Sequence, residues 1–135
     1  MKMIMTAALL MAAPALADSL TVELTGAKGE GTAVVSLWKT DSGFSSFDSA
    51  RAAATLRAPI RAGVASVTFE GLAPGTYAVS AFHDGDGNGK MKTNFIGMPK
   101  EGVAVSGTAG GMPRFSKSAI PVSGKARISM AFRYL

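Results

Sequence analysis

Apolar and polar residues alternate with a period of two over several short stretches, the spacing that places side chains on opposite faces of a β-strand. Residues 20–25 (LTVELT) put Leu20, Val22 and Leu24 on one face. Residues 32–39 (TAVVSLWK) put Ala33, Val35 and Leu37 on one face and Val34, Ser36 and Trp38 on the other. The glycine-rich link at 26–31 (GAKGEG) predicts that these two strands pair as a hairpin. Residues 64–69 (VASVTF) form a further strand, with Val67 and Phe69 on one face. Gly71-Leu72-Ala73-Pro74-Gly75 then makes a tight turn, because proline presets φ at its entry and Gly75 accepts a positive φ. Residues 76–83 (TYAVSAFH) are rich in aromatic and β-branched side chains and form the next strand. In 126–134 (ARISMAFRY), Ile128, Met130, Phe132 and Tyr134 face one way and Arg127, Ser129, Ala131 and Arg133 the other.

Between these strands, 41–47 is a loop, and the alanine-rich 48–56 predicts a short helix capped by Asp48 or Ser49 and stopped before Ala58-Pro59. Residues 84–118 carry little strand pattern beyond 103–105, and so long an irregular stretch in a compact domain is usually functional or mobile. The expectation is an all-β fold. It is a single β-sandwich, Ig-like or transthyretin-like, of about seven strands with one long irregular loop and a short helix.

The first residues belong to a different class. Met1-Lys2 is a short basic start, 3–14 is an apolar run without charge, and Ala15-Leu16-Ala17 has the small-x-small form of a cleavage site. Residues 1–17 read as a secretory signal peptide and 18–135 as the sandwich domain. The apolar run is shorter than the about 20 residues that cross ~30 Å of hydrocarbon as a helix, and no later run is longer. The reading is an exported protein, periplasmic or secreted, without a transmembrane segment after cleavage.

Composition narrows the chemistry. With no cysteine, a disulfide scaffold, a thiolate metal site and a cysteine nucleophile are excluded. One histidine, His83, excludes a multi-histidine metal centre within the chain. The 16 glycines call for many tight turns. The formal charge of +5 comes from scattered lysines and arginines rather than a stripe with interleaved aromatics, so no nucleic-acid partner is expected.

A family resemblance enters at residues 67–102. Leu72-Ala73-Pro74-Gly75-Thr76-Tyr77, Phe82-His83-Asp84, Asn88-Gly89-Lys90 and the run from Thr93 to Gly102 (TNFIGMPKEG) resemble the signature of the DUF2141 family of exported bacterial proteins. The resemblance covers nearly all of 18–135. It implies a sandwich fold, and the LAPGTY turn is similar to those of transthyretin-like and carboxypeptidase-regulatory-like domains. It implies no activity. Lys92 stands where that family commonly has an acid, which weakens any cation site there. The hydroxyisourate hydrolases of transthyretin-like fold use several histidines, so that activity is not expected of this chain.

The sharpest local motif is Asp84-Gly85-Asp86-Gly87-Asn88-Gly89-Lys90, which matches the D-x-D-x-N-G opening of a calcium loop. Calcium takes six to eight oxygens. Asp84, Asp86 and Asn88 would offer side-chain oxygens, Lys90 a carbonyl, and Gly89 the sharp turn. The twelfth position, which carries a bidentate glutamate in a full EF-hand loop, is Phe95, and the ninth is Lys92. Glu101 is an acid that could fold back to the loop. The alternative is a polar turn held by its own Asx hydrogen bonds. A site of this kind would bind Ca²⁺ with a dissociation constant on the order of 0.1–1 mM.

These features point to a non-enzymatic binding or structural module of the cell envelope, with a weak Ca²⁺ site in the 84–90 loop and an envelope ligand or protein as partner. One alternative is an envelope enzyme using His83 and Asp84, with His83 as base. Another is a Cu(I)-binding protein using Met91, Met98 and Met112. The apolar run 95–99 (FIGMP) is either a partner surface or a segment pinned to the core. Trp38 and Tyr77 are core residues or sugar-stacking platforms.

Overall fold

The computed structural model describes residues 18–85, 101–107 and 114–134. Among them, eight strands form two sheets packed face to face. The three-stranded sheet contains β1 (Asp18–Thr25), β4 (Ala65–Leu72) and β8 (Lys125–Ala131) in the order β4-β1-β8. The second sheet contains β2 (Gly31–Trp38), β3 (Ala54–Ile60), β5 (Gly75–Asp84) and β6 (Val103–Val105) in the order β3-β2-β5-β6. Strand β7 (Ile120–Val122) pairs with the first residues of β5, ahead of the stretch that β6 pairs. The first and last strands run parallel, from Ser19 opposite Lys125 to Thr25 opposite Ala131.

The alternation read from the sequence explains the layers. Leu20, Val22 and Leu24 from one sheet and Ala33, Val35 and Leu37 from the other share a single buried core with Val67, Phe69, Val79, Met130 and Phe132. The outer face of β4-β1-β8 is polar, with a Thr21–Thr68 hydroxyl contact of 3.0 Å and an Arg127–Glu23 ion pair of 2.9 Å. The other sheet is covered on both sides, and β2 and β5 are accordingly buried along most of their length. On its outer face Trp38, Phe44 and Ala78 form a second cluster, with Phe115 against it. Trp38–Phe44 and Phe44–Phe115 meet edge to face at 5.7 and 6.0 Å. The buried Trp38 indole N–H donates to Ser80 Oγ at 2.8 Å.

Two expectations are corrected. β1 and β2 are not a hairpin: they lie in different sheets, and the glycine-rich link carries the chain from one layer to the other. A period of two on each strand specifies a buried face, and two such faces satisfy one another across a core as well as within one sheet. The predicted helix over 48–56 is a 3-10 turn at Ser49–Arg51, capped by Asp48 as expected, followed by β3. Alanine favours a helix locally, but pairing of 54–60 along β2 wins, and Pro59 fits because β3 is an edge strand. A two-residue turn, Ala62-Gly63, joins β3 to β4 with positive φ at both positions (53° and 80°). A four-residue helix, α1 (Phe115–Ser118), and β7 fall where no pattern was read.

Candidate functional site

The stretch that carries the candidate chemistry begins at the end of β5. His83 is the last inward-facing residue of that strand, opposite Ala33 on β2, and is 6% exposed. Its Nε2 lies 2.7 Å from the Glu30 carbonyl oxygen. A carbonyl only accepts, so Nε2 carries the proton and donates. In the Nε2–H tautomer Nδ1 accepts, and the Tyr134 hydroxyl, 2.7 Å away, donates to it. Tyr134 Oη in turn accepts from the Lys28 backbone N–H at 2.8 Å, and Lys28 Nζ stands 5.0 Å from the centre of the Tyr134 ring.

The surroundings hold that arrangement. His83 N donates to the Gly102 carbonyl at 2.8 Å. Phe132 and Tyr134 lie 5.9 and 6.0 Å from the imidazole, centre to centre. A Cβ on Gly102 would come within 2.5 Å of Tyr134 Cζ, and one on Gly31 within 3.1 Å of His83 Nε2, so both glycines make room for the two rings. Four separate parts of the chain meet here: the β1–β2 link, the end of β5, the approach to β6, and the residues after β8.

Asp84 points the other way. The pleat that aims His83 into the core aims Asp84 to the outer face of the same sheet, where its carboxylate is fully buried and lies 3.9 Å from Arg57 of β3. The two neighbours in sequence therefore do not form one site. Beyond Asp84 the Gly85 N–H donates to Glu101 Oε2 at 3.2 Å, so Glu101 does return to the neck of the loop. Of the predicted calcium ligands, Asp84 is placed at this neck, whereas Asp86, Asn88 and Lys90 lie outside the described residues. So do Met91, Met98 and Met112 and the 95–99 run. Among the described residues, no three His, Cys, Asp or Glu side chains come together as metal ligands.

Trp38 and Tyr77 are both buried, as core residues. Tyr77 also explains the LAPGTY turn: its hydroxyl donates to the Ala73 carbonyl at 2.7 Å and ties the start of β5 to the turn before it. Sandwich domains use a tyrosine corner of this kind to fix a strand-to-strand crossing. A cleft of about 170 Å³ beside this corner is lined by Leu37, Lys39, Ala54, Leu72 and Tyr77.

Reasoning from sequence missed Tyr134, Lys28 and the Glu30 carbonyl as partners of His83. The usable signal was that Tyr134 continues the inward-facing series Ile128, Met130, Phe132, which puts a hydroxyl at the end of an apolar face.

Fold and site together define a two-sheet β-sandwich whose single histidine, at the end of β5, ties Tyr134 to the link between β1 and β2. The family described as "Uncharacterized protein conserved in bacteria (DUF2141)" matches residues 22–129, and the chain belongs to it. No curated protein matches the chain, and no solved structure does. Among the described residues, no helix is long and apolar enough to cross a membrane.

Proposed function

We propose that this chain is an exported cell-envelope module that binds or braces and does not catalyse, and that its 84–90 loop takes a weakly held Ca²⁺ ion. The observation that counts against the His83 enzyme alternative is the placement of that ring. Both ring nitrogens are spent on hydrogen bonds inside the protein, and the ring is buried. A general base needs a ring nitrogen that can reach a substrate proton. Asp84, on the opposite face, cannot orient it.

The second half rests on the loop's residue types and on its neck. Asp86 and Asn88 offer side-chain oxygens and Lys90 a carbonyl, Asp84 stands at the start of the motif with its carboxylate buried beside Arg57, and Glu101 brings a further carboxylate beside Gly85. A hard cation needs such an oxygen-only set, and the ion would order a glycine-rich loop for display to an envelope ligand or protein.

The test is a melt of residues 18–135 in excess chelator and again in millimolar calcium, with magnesium as control. At ten times the dissociation constant, linkage gives about 1.4 kcal/mol, a rise of roughly 4–8 °C. The rise should vanish in Asp86→Ala with Asn88→Ala, which spares the buried Asp84. No rise at 10 mM calcium, or an equal rise in the double variant, overturns the calcium reading.

A further inference from the structure

Asp18 Oδ2 is, among the described residues, the one buried side-chain nitrogen or oxygen without a hydrogen-bond partner. Its position gives that fact meaning. Asp18 opens β1, the middle strand of its sheet, and stands opposite Leu72 where the β1–β4 register shifts. The chain is fixed immediately afterwards, since Ser19 N donates to the Gly124 carbonyl at 2.8 Å and Leu20 is fully buried. The Asp18 side chain is half-buried, with Oδ2 enclosed and unsatisfied, a condition that disfavours the folded state.

We propose that removal of residues 1–17 supplies the missing partner: the α-ammonium formed on Asp18 pairs with the Asp18 carboxylate, so that leader cleavage is itself a stabilising step. This rests on the export reading. Hydrolysis of the amide between Ala17 and Asp18 by a leader peptidase takes up one water. It leaves a carboxylate on Ala17 and an ammonium on Asp18, a few covalent bonds from Oδ2. Before cleavage that nitrogen is a neutral amide with a single N–H. Afterwards it is a cation with three donors, and a charge-assisted hydrogen bond is among the stronger ones. No other side chain has to be ordered to make it, so little entropy opposes the gain.

Two chains test the pairing: one beginning at Asp18, released from a cleavable fusion, and one beginning at Ala17. Both contain every described strand. The Asp18-first chain should melt about 3–6 °C higher at neutral pH. Acetylation of its α-amino group should abolish the advantage, and in an Asp18→Asn pair the difference should fall below 1 °C. Equal melting of the two native chains, or the same difference in the Asn pair, overturns the ammonium–carboxylate pairing. The intact mass of the exported protein tests the reading beneath it separately, and a mature chain that starts at another residue overturns the processing step.

Discussion

Replacing Tyr134 by Phe removes one oxygen and leaves the ring, so it isolates the hydrogen bonds at the end of the sandwich. Two bonds are lost. The Lys28 N–H is at the surface and exchanges its partner for water at little cost. The His83 Nδ1 is buried and loses a bond of 2.7 Å. Leaving a buried acceptor unsatisfied costs about 1–3 kcal/mol, so Tyr134→Phe should destabilise by about 1.5–3 kcal/mol. Urea unfolding at pH 7 reads this as a shift in midpoint without a change in slope. A double-mutant cycle with His83→Ala assigns it. If the hydroxyl acts through the imidazole, the two losses do not add, and the coupling energy is about 1–2 kcal/mol. A Tyr134→Phe loss under 0.5 kcal/mol, or additive losses, would refute the network.

Other substitutions separate buried polar contacts from exposed ones. Ser106 Oγ accepts the Val79 N–H at 2.9 Å and donates to the Ser118 carbonyl at 2.6 Å, both buried, so Ser106→Ala should cost about 2–3 kcal/mol in thermal or urea unfolding. Ala62 holds φ 53° in the two-residue turn where Asn or Gly is favoured, so Ala62→Asn should stabilise by about 0.5–1 kcal/mol in the same assay. The Arg127–Glu23 pair is solvent-exposed on the polar sheet face, and Arg127→Ala should stay within about 0.5 kcal/mol of the parent at physiological salt.

The strands with one buried face were legible because a wrong register would expose a whole row of apolar side chains. Leu20-Val22-Leu24 and Ile128-Met130-Phe132 are of this kind, and both rows are in or against the core as read. Strand β3 was not legible. Its burial pattern has only Ile60 fully inside, and the three consecutive alanines 52–54 that lead into it favour a helix until β2 offers an edge. The layer change between β1 and β2 was hidden for another reason: a glycine-rich link serves a hairpin and a crossing equally well. At the candidate site, sequence adjacency misled. His83 and Asp84 are neighbours along the chain but on opposite faces of a sheet, while the true partner of His83 is 51 residues away. The Asp84–Lys90 motif remains the clearest signal of chemistry, and Glu101 at its neck is a placement that only the fold provides.

The most direct measurement is a calcium titration of residues 18–135 followed by ¹H–¹⁵N NMR, with magnesium as control. The account predicts saturable shifts centred on the amides of 84–90 and on Glu101, with half-saturation on the order of 0.1–1 mM. The His83 ring nitrogens and the β4-β1-β8 sheet should stay where they were. No saturable shift at 10 mM calcium, or shifts centred away from that loop, would contradict it.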